Sequence, residues 1–514
     1  MTRGGHTKMA SKTFWNRGII FFASYSFFFL PLLAAADSSS ASADKYVIPD
    51  SELQSLLAVP TNLSSLSSSG SLVDFSTLFE AASETSFNAW IVAVRRALHQ
   101  WPETAYNEYR TSALIHKLLK AMNVRVTTGW GTNTVGMSEE EAKIARARRE
   151  GTGLVAEIGT GKEPCVALRA DIDALPIFER TNVPFRSKVD GRMHACGHDV
   201  HTTMLLGAAA LLKQLEPQME GTVRLIFQPA EEGGGGALMM REEGVLTMAP
   251  PVEFIFGMHV APALPTGELA TRKGVMMAAA TQFSINVKGR GGHGAMPHET
   301  IDPSPGVAAI VQGLYAIVAR ETSFTENTTG LISVTRIQGG TAFNVIPSEY
   351  FIGGTMRALD MVMMRNLQAR VVELVENLAQ AFRCQAGVEY GSVSYVPLVN
   401  DPEATEFFIQ SVAPASRSGR VGIADPTMGG EDFAFFLEDV PGTFAVIGIG
   451  SGAEHQQGHV PTNIPLHNPN FAVDERVLSR GAAVHAFTAL RAFSFLASKK
   501  RNAGAGETRT TCEA

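Results

Sequence analysis

The sequence predicts an α/β protein in which a mostly parallel sheet is interrupted by an inserted α+β domain. Between residues 165 and 258, short and nearly continuous apolar runs alternate with helical stretches, a pattern typical of parallel strands buried on both faces. After Gly274 the apolar residues alternate with period two, as in strands with one buried face. Alternation of strand and helix returns at Thr443 and ends in a helix expected at residues 474–497. One domain is therefore expected to lie inside the other.

The outer domain is expected to begin with helices and continue with buried strands. Apolar residues recur at helical spacing over residues 90–122 on both sides of Pro102, which predicts two helices joined by a turn. The next predicted elements are strands at residues 165–168, 222–227 and 254–258, and a helix at residues 202–215. Residues 129–151 are polar and predict a surface insertion that carries a short helix.

The inserted domain shows a recognisable order of elements. Strands are predicted at residues 282–287, 331–337, 350–356 and 388–396, and helices at residues 305–319 and 360–382. The resulting order β-α-β-β-α-β is that of a ferredoxin-like domain. We therefore place this domain at residues 274–394, between two parts of the outer domain at residues 79–273 and 395–497.

The N-terminal residues 1–36 resemble a secretory signal peptide. A basic stretch ends at Arg17, an apolar run spans residues 18–33, and three alanines follow, which is the usual order up to a cleavage site. The alternative is a membrane anchor, but the run is shorter than the ~20 residues that span a bilayer. We therefore expect no stable membrane anchor and a location in the endoplasmic reticulum lumen or outside the cell. Glycosylation sequons at Asn62 and Asn327 agree with this route.

Two further segments are predicted to lack regular structure, and the composition excludes some classes of protein. Residues 37–78 are rich in serine and predict a linker, and residues 498–514 predict a disordered tail. A net charge of -7 argues against nucleic acid as a partner. Four cysteines are too few for a disulfide scaffold in a chain of 514 residues and leave one disulfide open.

Polar side chains follow each predicted strand of the outer domain. Asp171 follows the first strand, Glu231 and Glu232 follow the second, and His259 follows the third. The segment at residues 193–201, which contains a Cys-Gly-His sequence, precedes a helix. Because ligands bind beyond the carboxyl ends of the strands in open α/β sheets, we expect these side chains to lie close together.

Cys196 and His198 are candidate metal ligands. In an extended backbone, residues two apart point to the same side, and the intervening Gly197 allows a close approach. The alternative is a buried cysteine beside surface histidines. Acidic and histidine side chains after neighbouring strands favour the metal site.

The adjacent Glu231 and Glu232 suit a division of labour. One carboxylate can bind a cation while the other takes a proton from water, as metal-dependent hydrolysis requires. The alternative is a solvated pair in a loop, which the preceding apolar strand argues against. With His259, the donors are thiolate, imidazole and carboxylate, a set that suits Zn(II) and also admits Mn(II). His467 is a further candidate, but it lies in an irregular segment before the last predicted helix, where a lone histidine is usually structural.

The chain resembles the amidohydrolase branch of the two-metal aminoacylase/carboxypeptidase metallopeptidases. The matching segments include RADIDALP at residues 169–176, MHACGHDVH at 193–201, QPAEEG at 228–233, HGAMPH at 293–298, NVIP at 344–347 and GEDF at 430–433. The resemblance extends over residues 79–497. This branch includes bacterial N-acyl-amino-acid hydrolases and plant hydrolases of auxin (indole-3-acetic acid) conjugates, and the signal segment makes the chain look like the plant type.

The resemblance implies a role for each matching residue. It implies two divalent metal ions, Mn(II) or Zn(II), with five ligands, namely Cys196, His198, Glu232, His259 and His467. It further implies Glu231 as general base and then general acid, Asp171 as the group that orients a ligand imidazole, and His293 and Asn344 as substrate-binding residues.

The family also suggests the setting in which these residues work. The implied substrate is a small N-acyl amino acid, above all an auxin–amino acid conjugate that releases free auxin. The inserted domain is expected to act as a lid over the substrate, and it is a candidate surface for a homodimer. Many plant members end in a retention tetrapeptide that is led by lysine or histidine, and this sequence does not.

Other functions remain as alternatives to auxin release. A general amidohydrolase of the hippurate or N-acetyl type would need the same residues. A catalytically silent conjugate-binding protein would keep the fold, but the presence of the base and every ligand argues against it. A zinc deaminase would need an H-x-E and a P-C-x-x-C pattern, which the sequence lacks, and a nuclease or phosphatase would need a more cationic cleft.

Overall fold

The computed structural model describes residues 50–66, 73–322, 329–450, 455–456 and 460–510. The predicted signal segment, the sequon at Asn327 and Cys512 lie outside these residues. None of the described helices is long and apolar enough to cross a membrane. The three described cysteines are free thiols.

The helices and strands alternate along most of the described chain. The helices are α1 Asp50–Leu57, α2 Phe75–Ser83, α3 Thr85–His99, α4 Tyr109–Ala121, α5 Glu139–Arg148, α6 His198–Leu215, α7 Gly236–Glu242, α8 Ser304–Glu321, α9 Met361–Ala381, α10 Pro402–Val412, α11 Ala434–Leu437 and α12 Val477–Thr510. The strands are β1 Arg125–Trp130, β2 Gly153–Gly159, β3 Cys165–Asp171, β4 Thr222–Gln228, β5 Val252–Ala261, β6 Leu269–Thr271, β7 Gly274–Met277, β8 Ala279–Lys288, β9 Gly292–His293, β10 Gly330–Gln338, β11 Val345–Ile346, β12 Glu349–Ala358, β13 Gln385–Tyr390, β14 Leu398–Asn400, β15 Val421–Ile423, β16 Gly442–Gly448, β17 His455–Gln456 and β18 Val460–Pro461.

The large sheet has the order β1-β2-β4-β3-β5-β16-β6-β15. Its central strands β4, β3, β5 and β16 are parallel to one another, whereas β1, β2 and β6 pair antiparallel with their inner neighbours. Every residue of β3, β4 and β16 is buried, because separate apolar cores cover the two faces of the sheet. This confirms the predicted α/β fold with a mostly parallel sheet.

The second sheet is antiparallel and has the order β10-β12-β8-β13. Helices α8 and α9 pack on it around a core of its own, which includes Ile285, Leu314, Ile352 and Val371. Counted in chain order from β8, the four strands lie in the sheet in the order second, third, first and fourth. This is the arrangement that the β-α-β-β-α-β order produces. The predicted ferredoxin-like domain is therefore present within the α/β domain.

The structure differs from the prediction of a linker at residues 37–78. Helix α1 lies in this range, and Leu56 and Leu63 are buried in the main core. The Trp90 indole also donates a hydrogen bond of 2.8 Å to the Leu56 carbonyl. Serine dominates the composition here, but burial of the few leucines is enough to order the segment.

The last helix continues beyond its predicted end at residue 497. Helix α12 extends to Thr510, so residues 498–510 of the expected disordered tail are helical. Lys499 pairs with Glu403 at 2.6 Å and Lys500 pairs with Glu253 at 2.8 Å. Because lysine is a good helix former and both side chains find acidic partners, the helix does not stop where its apolar pattern fades.

Candidate metal centre

The predicted ligands come together at the carboxyl ends of the central strands. The Cys196 Sγ lies 3.4 Å from the His259 Nε2 and 3.3 Å from the His467 Nε2. The same His467 nitrogen lies 3.1 Å from a Glu232 carboxylate oxygen. Donor atoms of Cys196, His198 and His259 all lie within 4.8 Å of one another, as do those of Cys196, Glu232 and His467. The two groups share the cysteine.

The backbone at Cys196 and His198 is not extended, contrary to the prediction. Gly197 adopts φ +88° and forms the N-cap of α6, so His198 is the first residue of that helix. A Cβ at Gly197 would stand 2.6 Å from the Val260 Cγ2. Glycine is needed both for the left-handed conformation and for this contact, and the turn brings the two donors together by a different route.

Hydrogen bonds orient two of the imidazole rings. The His198 Nδ1 lies 2.9 Å from the Asp173 carbonyl oxygen and 3.2 Å from its Oδ1. The His259 Nδ1 donates to the Val260 carbonyl at 2.8 Å, which leaves its Nε2 facing Cys196. Such contacts fix the tautomer and the direction of a ligand ring.

The hydrogen bond of Asp171 goes to His201, which is not one of the proposed ligands. Its Oδ1 lies 2.6 Å from the His201 Nδ1, while the Val260 N–H donates to the His201 Nε2 at 2.9 Å. The His201 Nε2 is thus an acceptor, so the Nδ1 carries the proton and donates a hydrogen bond to Asp171. Both nitrogens of His201 are engaged, and the group that contacts the Nδ1 of the ligand His198 is Asp173.

Asp173 also holds the loop that carries the two glutamates. Its Oδ1 accepts the Glu231 N–H and its Oδ2 accepts the Glu232 N–H, each at 3.0 Å. One buried carboxylate therefore fixes the backbone of Glu231 and Glu232 and contacts the ring of His198. Sequence reasoning missed this role, although Asp173 lies in the quoted RADIDALP segment.

Arg169 is a second residue that sequence reasoning did not assign. It is buried, and its guanidinium lies 2.8 Å from Asp171, 3.0 Å from Glu431 and 3.1 Å from Asp432. Arg169 thereby joins Asp171, its near neighbour in sequence, to the adjacent Glu431 and Asp432 from a distant segment of the chain. Burial alone would raise the pKa of Asp171, but His198, His201 and Arg169 hold it well below its ordinary value.

The pKa values of the two adjacent glutamates are pushed apart. Burial raises the pKa of Glu231 well above its ordinary value, and the nearby charges of Glu431 and Glu232 raise it further. Burial would also raise the pKa of Glu232, but His467 outweighs burial and lowers it to about 2. Carboxylates whose environments separate their pKa values in this way are suited to different tasks.

The donor set fits a pair of divalent metal ions. The buried His198 Nε2 has no hydrogen-bond partner among the described residues, as expected of a ligand atom without its cation. Burial and the charges of Glu232 and Glu231 raise the pKa of the Cys196 thiol, so a cation is needed to make it a thiolate. Imidazole, thiolate and carboxylate donors together are those of borderline transition metals.

His293 and Asn344 lie together, but away from the donor cluster. His293 in β9 pairs with Val345 in β11, and the Gly294 N–H donates to the Asn344 carbonyl at 2.8 Å. Both side chains are exposed in the inserted domain and neither lines the cavity at the donor cluster. Their assignment as substrate-binding residues stays a prediction.

The cavity at the donors is lined by Glu231, the proposed ligands other than His198, the polar side chains of Asp425, Thr427 and Glu431, and a group of apolar side chains. These apolar residues are Met276, Met277, Phe444, Val446 and Leu466. Tyr395 also lines it, and its hydroxyl bonds to the Glu231 carbonyl and accepts the Gly233 N–H at 2.9 Å. Sequence reasoning did not identify Tyr395, because no motif surrounds it.

Comparison with known proteins supports the family that the motifs suggested. The model of peptidase family M20/M25/M40 matches residues 167–491. The chain is 39% identical to the IAA-amino acid hydrolase ILR1-like 2 of Arabidopsis thaliana, over 82% of this chain and 89% of the relative. It is 37% identical to the N-acetylcysteine deacetylase of Bacillus subtilis, over 77% of this chain and 95% of the relative.

A solved structure of a relative has the same fold. It is a dinuclear metal-binding peptidase of the M20 family from Bacillus subtilis, with a TM-score of 0.62 and 33% identity over 80% of this chain and 99% of that chain. The match covers most of this chain and nearly all of the relative, and the relative is described as binding two metals. The chain therefore belongs to peptidase family M20/M25/M40 and is a metal-dependent hydrolase of amide bonds.

Proposed function

We propose that the protein hydrolyses N-acyl amino acids with apolar acyl groups, foremost indole-3-acetyl conjugates, and releases the free acid and the amino acid. One observation carries the proposal, namely the buried Glu231 beside a shared donor cluster in a cavity that is partly apolar. The similarity to a plant hydrolase of auxin conjugates supports the choice of acyl group.

The residues divide the reaction between them. Bound divalent ions, which we propose to be Mn(II) or Zn(II), would supply Lewis acidity for the scissile carbonyl and lower the pKa of a water molecule. Cys196, His198, Glu232, His259 and His467 would hold them. Glu231 takes the proton from the attacking water and passes it to the leaving nitrogen, so that one water is consumed and one acid and one amine are formed.

The apolar side chains favour an apolar acyl group. Met276 and Phe444 are buried, and Val446 is exposed by only 5%, so this part of the cavity has few polar groups to bind a charged acyl chain. Methionine side chains adapt to ligands of irregular shape and make favourable contacts with aromatic rings. An indole or phenyl ring would therefore be bound better than an acetyl group.

A second candidate is a hydrolase of N-acetyl amino acids, which the similarity to an N-acetylcysteine deacetylase favours. A single screen separates the two. Purified protein is treated with a chelator, reloaded with Mn(II) or Zn(II), and assayed for amino acid release from indole-3-acetyl, benzoyl and acetyl conjugates of several amino acids. We expect metal-dependent release that is fastest with the aromatic acyl groups. Equal or faster release from acetyl conjugates would support the alternative, and no release would contradict both.

We also propose that residues 1–36 direct the chain into the secretory pathway. The support is the order of basic, apolar and small residues in that segment. N-terminal sequencing of protein purified from eukaryotic cells should find a start close to residue 37. A chain that keeps residues 1–36 would contradict cleavage.

A further inference from the structure

Tyr395 stands where the chain passes between the two domains. Its backbone forms an isolated antiparallel bridge with Ala280, in which the Ala280 N–H donates to the Tyr395 carbonyl at 3.1 Å and the reverse bond measures 2.8 Å. Ala280 lies at the start of β8, the first strand of the inserted sheet, and Tyr395 follows β13, the last strand of that sheet. The two chain connections are therefore joined at this tyrosine.

The hydroxyl of Tyr395 reaches out of this junction to the loop that carries Glu231. It donates to the Glu231 carbonyl and accepts the N–H groups of Gly233 at 2.9 Å and Gly235 at 3.3 Å. A phenol has one donor and two acceptor positions, and all of them are used on this one loop. The side chain is exposed by only 3%, so water cannot readily replace these bonds.

The same connection contacts the loop a second time through Val393. Gly235 has φ +68°, and a Cβ there would lie 2.7 Å from the Val393 Cγ1. Val393 and Tyr395 are two residues apart in the segment that leaves the inserted domain. On the other side of the loop, the Tyr106 hydroxyl donates to the Gly234 carbonyl at 2.6 Å. The loop is thus held between the outer domain and the junction.

We propose that Tyr395 is a positioning residue that sets the place of Glu231 and ties it to the junction between the domains. The inference rests on the proposed function in that Glu231 is the base. Movement of the inserted domain pulls on the Ala280–Tyr395 bridge, and the hydroxyl transmits that movement to the backbone of Glu231. The lid and the base are thereby coupled through one side chain, which does not itself touch the reacting atoms.

The substitution Tyr395→Phe tests this without removing the ring. The ring contact with Phe435, whose centroid lies 6.0 Å away, and the backbone bridge to Ala280 are expected to remain. The matched control is Tyr390→Phe, because the Tyr390 hydroxyl donates to the Gln368 carbonyl at 2.8 Å within the inserted domain. Tyr395→Phe removes the three hydrogen bonds of a buried hydroxyl and Tyr390→Phe removes the one of a half-buried hydroxyl, but only the first variant frees the loop.

We expect Tyr395→Phe to lower kcat by about 10- to 100-fold, because a misplacement of about 1 Å in a catalytic group costs that much. KM and metal content should stay close to those of the wild type, and Tyr390→Phe should leave kcat unchanged. Deuterium uptake of the backbone over residues 228–237 should rise only in Tyr395→Phe. A kcat like that of the wild type, unchanged deuterium uptake, or an equal loss in the control would overturn the proposal.

Different results would contradict the proposed function and the positioning role of Tyr395. If the wild-type protein releases no amino acid from any N-acyl conjugate, the proposed function is wrong. Deuterium uptake still reports whether Tyr395 holds the loop, because that measurement needs no substrate. If the wild type is active and both measurements of Tyr395→Phe match it, only the positioning role is wrong.

Discussion

Glu231 and Glu232 are adjacent, yet their surroundings differ. Glu232 lies against His467 and is stabilised as an anion, whereas donor atoms of Glu231, Glu431 and Asp432 all lie within 4.8 Å of one another. An anion that faces a cationic ring is a good ligand, and a carboxylate that faces other carboxylates holds a proton more readily. The assignment of one residue to the metal and the other to proton transfer follows from this contrast.

The substitution Glu231→Gln should separate binding from turnover. The amide keeps the shape of the side chain but cannot take a proton, so we expect kcat to fall by about 10²- to 10⁴-fold with bound metal unchanged. The exposed Glu220 provides the control Glu220→Gln, which should leave both quantities unchanged. Turnover of Glu231→Gln close to that of the wild type would remove this residue from the mechanism.

A second substitution tests the role that the structure gives to Asp173. In Asp173→Asn one of the two acceptor oxygens that hold Glu231 and Glu232 is replaced by a donor. We expect metal affinity to fall by about 10- to 100-fold, as for other groups that orient metal ligands. Titration of the apoprotein with Zn(II) measures this, with Asp190→Asn as a control at an exposed site. Equal affinity in both variants would show that the loop needs no such support.

Apart from His467, which only the family resemblance assigned, the proposed ligands could be predicted from their places in the sequence, but the groups that support them could not. Cys196, Glu232 and His259 follow strands or precede a helix, so the general rule for α/β sheets brings them together. Arg169 instead pairs with Glu431, which lies 262 positions further along the chain. No local pattern records such a pair, because it depends on how distant segments pack.

At the scale of elements, helix α6 is fixed to α3 by buried charges next to a proposed ligand. The Arg95 Nε lies 2.9 Å from Asp199, and the His99 Nδ1 lies 2.8 Å from the same carboxylate. Asp199 directly follows His198 at the start of α6. Since removing one partner of a buried pair leaves an uncompensated charge, this contact keeps the first turn of α6, and hence His198, in place.

The same network makes stability depend on pH. Burial and the charge of Arg95 lower the pKa of His99, but Asp199 and Glu179 outweigh them and raise it above 6.5. The neighbouring His194 is uncharged near neutral pH, because burial lowers its pKa to about 3. Above pH 6.5 the folded state keeps a proton on His99 that the unfolded state has lost. The free energy of unfolding therefore falls as pH rises through the folded pKa.

Urea unfolding at several pH values between 6 and 9 measures this dependence. We expect the wild type to lose more stability over that range than His99→Gln, which lacks the titrating ring. Equal slopes in the two proteins would show that His99 does not hold its proton in the folded state.

The elements with a regular apolar period could be predicted, and the irregular ones could not. The order of strands in the inserted domain follows from period-two alternation, and the structure has the same order. Helix α1 was not predicted because Leu53 and Leu56 stand in a serine-rich segment, and only their packing on the main core and the hydrogen bond from Trp90 to the Leu56 carbonyl reveal the helix. The start of α6 at His198 depends on the left-handed conformation of Gly197. The spacing of apolar residues does not reveal a single backbone conformation of this kind.

At the scale of the whole molecule, the two substrate-binding residues predicted on the inserted domain lie apart from the cavity. His293 and Asn344 are exposed on that domain and do not line the cavity that contains Glu231. To act on the substrate they would have to be brought there by closure of the lid or supplied by a second copy of the chain. Enzymes of two domains commonly complete their sites by such a movement.

Substitution of His293 tests whether the inserted domain takes part in the reaction. We expect His293→Ala to lower kcat/KM by about 10²-fold, the usual loss when a hydrogen-bond donor to the transition state is removed, with bound metal unchanged. His298, whose side chain is exposed by 71%, lies on the same segment and provides the control His298→Ala. If both variants keep the wild-type kcat/KM, the inserted domain contributes no group at this position.

The most direct test of the central claim is anomalous X-ray diffraction from crystals of the protein loaded with Mn(II) or Zn(II). We predict two anomalous peaks about 3.5–4 Å apart, in contact with Cys196, His198, Glu232, His259 and His467 and beside Glu231. No peak among these side chains, or peaks bound only by other residues, would contradict the account.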